Sequence, residues 1–451
     1  MDVFDNISPL DHRYADEKLQ QFLSENARIR YQLKVESAIA SALAKRGICT
    51  KEIAKEISDA CDSVSPGDVY EEEKRIRHDI RALVNCIRKK VSEGARPFVH
   101  LGATSFDIIN TAEALRFKEF SEKVMIPSLL ELEKTIIDIA MREKNTLQIG
   151  RTHGQHAEPI TFGFALSEYV SRLGNSILEI KNSAEGLRGK MSGAVGAYNA
   201  TSLIFEDPEE YELEVLNELR LKPATHSTQI VEPEFMLDFV HAVISSFGVI
   251  ANLADDMRHL QRTEISEVAQ SFSDNQVGSS TMPHKRNPID FENVKSMWKA
   301  FVPRIMTLYM DQLSEHQRDL TNSASSRFVV EMLAGFLISV ERMNKTCKSI
   351  VIDKGSMAKN FAINREMITA EPFYILLSVH GHPDAHEAVR RLTMKNRPLI
   401  ESIKEDGDIM KYFNMFTANQ KRAIETPGEY TGIASKKTES VCEYWEKMLR
   451  L

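Results

Sequence analysis

Between Glu234 and Val268 the chain has no proline, and apolar residues return every three or four positions: Phe235, Phe239, Val243, Phe247, Ile250, Leu253, Met257 and Leu260. This is the period of one face of an α-helix. The pattern repeats from Ser128 to Lys144, through Leu129, Leu132, Ile136, Ile139 and Ala140. It returns from Pro159 to Lys190, from Pro288 to Leu313 with a kink expected at Pro303, and from Ser326 to Ile350. Helices this long cannot each bury an apolar stripe inside a small globule. The sequence therefore predicts an all-α bundle whose surplus apolar surface is met by further copies of the chain. Strand signals are weak, with Ala200–Phe205 the segment expected to extend briefly. There is no β–α alternation, Walker-type phosphate loop, dinucleotide fingerprint, internal repeat or low-complexity tract.

A chain of 451 residues is too long for one ordinary core, so two or three domains are expected. A helical N-terminal part runs to about Gly94–Pro97 and is followed by a polar segment from His100 to Asp107. The long helices end near Lys354–Gly355, and shorter helices broken by Pro372, Gly381, Pro383, Pro398, Gly407 and Pro427 follow. These changes divide the chain into 1–104, 105–355 (containing a loop at 273–288) and 356–451. The net charge of −8 argues against a nucleic-acid partner. No apolar run approaches the length of a membrane span. The start, Met1-Asp2-Val3-Phe4-Asp5, lacks a basic-then-apolar signal pattern, so a cytoplasmic location is expected. The five cysteines are scattered with no C-x-x-C pair, which reads as a reducing compartment and no structural zinc.

Four polar segments hold the candidate chemistry. The first is Gly278-Ser279-Ser280-Thr281-Met282-Pro283-His284-Lys285-Arg286-Asn287-Pro288. Asn287 reads as a helix cap, with Pro288 at the first helical position and Asp290 and Glu292 in the first turn. Such a helix start, beside Lys285 and an amide, would also stabilise a carboxylate or enolate, and cations there would ease deprotonation of a serine. Local chemistry alone leaves turn residue and base, and Ser279 and Ser280, as open choices. The second segment is Gly150–Pro159, with His153, His156, Arg151, Gln155 and Glu158 expected just ahead of a helix. A histidine there can donate a proton. The His-x-x-His spacing falls short of a helical i, i+4 pair, so a metal is not expected. The third is Arg77-His78-Asp79 with His100–Asp107, where Thr104-Ser105 either caps a helix or presents hydroxyls to an anion. The fourth is Arg318–Arg327, two arginines around a hydroxyl-rich turn, a composition suited to phosphate or carboxylate.

Together these segments resemble the fumarase/aspartase superfamily of lyases. The Gly278–Pro288 run is similar to its signature loop. Arg77-His78-Asp79, Thr152-His153, the Arg318…Ser323…Arg327 spacing and Arg13-Tyr14 resemble its adenylosuccinate lyase family over nearly the whole chain. The resemblance implies three helical domains, five long central helices, and a homotetramer with a twenty-helix core and active sites shared between subunits. It implies β-elimination of fumarate from adenylosuccinate and from the succinyl carboxamide nucleotide SAICAR, without metal or organic cofactor. It implies Ser279 as general base, His153 as general acid, His78 supporting the acid beside the phosphate, and Glu292 orienting His153. Lys285 and Asn287 would hold the succinyl carboxylate. Gln229, His100, Thr104, Ser105, Ser280, Met282 and Asp79 would contact substrate, with Arg13, Tyr14, Arg77, Arg318, Ser323 and Arg327 on the nucleotide.

Two departures stand out. His156-Ala157-Glu158 replaces a proline-alanine-glutamine run of many relatives, which puts a role for position 156 in doubt. Gly102-Ala103-Thr104 differs from a leucine-containing version. The competing readings are a 3-carboxymuconate cycloisomerase-like enzyme, which handles no phosphate, and a helical scaffold without catalysis. Joint retention of Ser279, His153, Lys285 and Asn287 speaks against the scaffold.

Overall fold

The computed structural model of the chain describes residues 5–272, 278–282, 284–395 and 397–451. The expected loop positions 273–277 and Pro283, and the start Met1–Phe4, lie outside the described residues. The fold is all-α, with three two-stranded β pairings among the described residues. The elements used below are α1 (Glu25–Lys45), α2 (Pro66–Ile76), α3 (Asp79–Lys89), α4 (Ser105–Phe120), α5 (Ile126–Arg142), β1 (Leu147–Thr152), β2 (Gln155–Thr161), α6 (Phe162–Gly186), α7 (Glu234–Leu260), β3 (Val268–Ala269), α8 (Ile289–Phe301), α9 (Ile305–Asp311), α10 (Val329–Lys348) and β4 (Val351–Ile352).

Most of the periodic segments are helices with shifted ends. Pro303 breaks its segment into α8 and α9 around a 3₁₀ turn, as the missing N–H demands. Three expectations need correction. Pro159 does not start a helix: it lies in β2 opposite Ile149, and α6 begins at Phe162. A two-residue turn at His153-Gly154 folds the chain back first. Ala200–Phe205 is not extended. Thr201–Leu203 is a 3₁₀ turn closed by local bonds such as Phe205 N–H to Thr201 O at 2.8 Å, and Phe205 stacks on Tyr211. The Glu234–Val268 run ends as helix at Leu260, because Glu267 turns back and donates its N–H to the Leu260 carbonyl at 2.9 Å. One membrane expectation also changes. By length and mean hydropathy (27 residues, 1.6) α7 passes as a possible span. Its Phe239, Val240, Val243, Phe247 and Ala254 are fully buried, as in a core helix.

The chain forms two compact units. The first comprises Met1–Leu129, Ser176–Gly248 and Ser296–Val340; the second comprises Leu130–Asn175, Val249–Lys295 and Glu341–Leu451. The first unit's core contains Val35, Leu43, Leu83, Ile108, Phe117, Val243 and Phe247, with Phe247 edge-on to Phe336. Burying each large side chain contributes about 1.5–3 kcal/mol. Capping fixes the helix starts. Ser65 and Asp68 form a capping box around Pro66 at the head of α2. The second unit contains a C-terminal cluster built on Phe373, Leu377, Leu399, Ile403, Phe413 and Phe416. All five cysteines are buried and free. Among the described residues, no three His, Cys, Asp or Glu side chains are grouped to hold a metal.

Candidate active site

In the first unit, α4 begins as the Thr104-Ser105 pair leads one to expect. The Thr104 N–H donates to Asp107 Oδ2 at 2.8 Å. Asp107 is 0% exposed, and its other oxygen takes the Lys190 ammonium and the Gly193 N–H. Lys190 is also 0% exposed and donates to the Gly193 carbonyl at 3.1 Å. A buried charge pair is tolerable only when both partners are saturated in this way. It fixes the first turn of α4, whose Ser105 and Phe106 reach a cavity of about 740 Å³.

That cavity brings together many of the sequence's candidates. Arg77, His78, Asp79, Ser105 and Gln229 line it, as do Arg318, Ser323 and Arg327. Arg77 closes α2 in the left-handed region (φ 57°), a conformation unfavourable for a non-glycine residue. His78 caps α3, its Nδ1 accepting the Arg81 N–H at 3.3 Å. The Arg318 guanidinium carbon lies over the Phe106 ring, 3.4 Å from the centroid, and Nη2 donates to Asn322 Oδ1 at 3.1 Å. Burial pulls its guanidinium below the ordinary value, opposed by Asp319. Arg13, Tyr14, His100 and Thr104 are not among the lining residues. His100 is left-handed (φ 65°) and bonded to Glu36 at 2.7 Å. Burial lowers its basicity, but the Glu36 carboxylate outweighs that and holds it above the usual histidine value.

In the second unit, His153 and Gly154 form the two-residue turn of the β1–β2 hairpin. Both have positive φ, 54° and 73°. This is the turn class that matches strand twist, and glycine adopts it freely. His153 is exposed at the tip. The stem rests on Glu267, which is 0% exposed. Its carboxylate accepts from Arg151 at 2.6 and 3.2 Å, Gln148 at 2.8 Å and Asn360 at 2.9 Å. Arg151, a site candidate by sequence, is thus spent on the stem. Burial, then Arg151, lower the basicity of His156. Glu158 shares a hydrogen bond with Glu371, which holds its carboxyl above the ordinary carboxylate value.

The loop from Gly278 is held at both ends. Asn287 does not cap α8; its Nδ2 donates to the Gly278 carbonyl at 2.9 Å. The head of α8 is capped by Gln270, whose Oε1 accepts the Asp290 N–H at 3.1 Å. A Cβ on Gly278 would overlap the Lys285 carbonyl oxygen, so this glycine permits a close approach and not merely a bend. Two loop N–H groups converge on Ser279 Oγ, from Met282 at 3.0 Å and Thr281 at 3.4 Å. Lys285, Met282, Ser280 and Glu292 are exposed. Sequence reading missed Phe106, Lys190 and Glu267. Asp107, three residues after Thr104, was the available signal for the first two; nothing local marked Glu267.

Comparison with known proteins covers nearly the whole chain. A lyase family model matches residues 6–301, and an adenylosuccinate lyase C-terminal model matches residues 314–431. The chain is 34% identical to the adenylosuccinate lyase of Archaeoglobus fulgidus, over 98% of this chain and 100% of that protein. It is 36% identical to that of Pyrococcus horikoshii, over 98% and 99%. Among solved structures, the 3-carboxy-cis,cis-muconate lactonizing enzyme of Pseudomonas putida superposes with a TM-score of 0.84 at 20% identity, covering 98% of this chain and 99% of that one. A fumarate lyase from Mesorhizobium gives 0.83 at 21%, covering 95% and 98%. At such identities the structural likeness speaks for the fold alone.

Proposed function

The chain belongs to the adenylosuccinate lyase family, and from that premise we propose how its residues divide the reaction. It is a carbon–nitrogen lyase that releases fumarate from adenylosuccinate and leaves AMP. Ser279 removes the proton next to the succinyl carboxylate. Lys285 and Asn287 hold that carboxylate as it becomes a dianion. His153 protonates the departing nitrogen, with Glu292 orienting it and His78 in support. Arg13, Tyr14, Arg77, Arg318, Ser323 and Arg327 grip the nucleotide. Asp79, His100, Thr104, Ser105, Gln229, Ser280 and Met282 contact the rest of the substrate. No cofactor is required, since the acid, the base and the carboxylate donors are all side chains.

The observation that carries Ser279 as base is the pair of loop N–H groups on its Oγ. A serine is a poor base in water. Donors already aimed at its oxygen stabilise the alkoxide and cost no reorganisation during the reaction. Asn287 keeps a role too. An amide nitrogen carries two N–H groups, and the Gly278 carbonyl takes one, leaving one for a carboxylate.

The same site acts on SAICAR, the enzyme is a cytoplasmic homotetramer, and its active sites are shared between subunits. The divisions 1–104, 105–355 and 356–451 belong to this proposal. Exposed Met306, Met310 and Leu313 on and after α9 support an oligomer, because isolated apolar side chains are common at a surface but a run of this kind is not. Fumarate release from adenylosuccinate and SAICAR is the deciding assay, and no turnover of either would overturn the assignment.

A further inference from the structure

Arg318 is held in an unusual way for a cavity arginine. Its guanidinium rests on the Phe106 ring, Cζ 3.4 Å from the centroid, and one amine donates to Asn322 Oδ1. Its Nε is buried with no hydrogen-bond partner among the described residues. The neighbouring carboxylate is committed elsewhere: Asp319 accepts the Glu315 N–H at 3.0 Å, the Thr321 N–H at 2.9 Å and the Thr321 hydroxyl at 2.6 Å. The charge of Arg318 is thus oriented by an aromatic face and an amide. Neither of these neutralises it. The platform cannot retreat, because Phe106 sits in the α4 turn fixed by Asp107 and Lys190.

We infer that Phe106 is a positioning residue for nucleotide binding: it fixes the Arg318 guanidinium at the cavity wall with its charge free for the phosphate of the substrate. The inference rests on the nucleotide role proposed for Arg318. An aliphatic residue in place of Phe106 lets the guanidinium turn and find water. Binding suffers, while the elimination step does not.

The test measures KM and kcat for adenylosuccinate in Phe106→Leu, Phe106→Tyr, Arg318→Ala and the Phe106→Leu/Arg318→Ala pair, with succinyladenosine, which lacks the phosphate, as second substrate. Phe106→Leu is expected to raise KM about tenfold, the scale of a desolvated cation–π contact, with kcat within about twofold. Phe106→Tyr keeps the ring and restores KM. The double variant behaves as Arg318→Ala alone, and Phe106→Leu makes no difference to succinyladenosine. If Arg318→Ala leaves KM unchanged, the nucleotide role of Arg318 falls and this inference with it. If Arg318→Ala raises KM but Phe106→Leu does not, or does so equally for succinyladenosine, the inference alone falls. Should Phe106→Leu not fold, Phe106→Tyr decides: a KM raised as far as in Arg318→Ala overturns the inference.

Discussion

Asp107 and Glu267 are both carboxylates with no exposed surface, and both anchor the base of a structure whose tip carries candidate chemistry. They do it differently. Asp107 takes a fully buried lysine and two backbone N–H groups, and locks the first turn of a helix. Glu267 takes a partly exposed arginine and two side-chain amides, and locks a hairpin stem. In the first unit the candidate side chains line a cavity that Ser105 and Phe106, in the helix turn held by the buried pair, also line. In the second, His153 stands beyond the anchor on a two-residue turn. Rigid frames thus lie under both the side chains proposed for binding and the histidine proposed for proton transfer. The side chains assigned to chemistry are the more exposed.

The largest effect is expected where a side chain assigned to chemistry is removed and the frame beneath it is kept. Ser279→Ala and His153→Ala should each lose about a hundredfold to ten-thousandfold in turnover while melting normally. Fumarate release read beside thermal unfolding checks this, and a matching fall in melting temperature would mean that these side chains and the frame are not separable. Mixing the two inactive variants should restore some activity if sites are shared, and exchange without recovery would count against sharing.

Removing an anchor should reverse the pattern. Lys190→Met strands a fully buried carboxylate and should cost about 3–5 kcal/mol, most of it recovered in Lys190→Met/Asp107→Leu. Glu267→Gln leaves the better-solvated Arg151 and should cost about 2 kcal/mol. Denaturant titration ranks the two, and the opposite ranking would break the comparison.

Glu133 is the contrasting case, a buried carboxyl with neither oxygen hydrogen-bonded among the described residues. Burial pushes it up to about 9. Its folded value lies above the unfolded one, so stability is full below about pH 4.5 and is lost as pH rises towards 9. Between pH 5 and 8 the native chain should lose roughly 4 kcal/mol relative to Glu133→Gln. Parallel stability curves for the two would show that this carboxyl has a partner after all. The smallest effect is expected at the α8 cap, where Gln270→Ala should cost about 1 kcal/mol, measured by thermal unfolding.

Several of these features were legible in the sequence because their causes are local. The break at Pro303 and the start of α4 after Thr104 follow from backbone chemistry within one turn. The hairpin was missed although His153-Gly154 held a usable clue, since the following Pro159 imitates a helix start. Asn287 was misread as a cap because its competitor for the head of α8, Gln270, is distant in the chain, as is its true acceptor, Gly278.

The sequence by itself determined an all-α chain of long helices and, through a few spaced motifs, its lyase family. Periodicity and motif spacing are properties of neighbouring residues. Only the tertiary structure decided which charges are buried in pairs, that Arg151 serves a stem, and that Arg318 rests on Phe106. Those outcomes depend on groups far apart in the chain competing for the same donors and acceptors, and burial settles that competition.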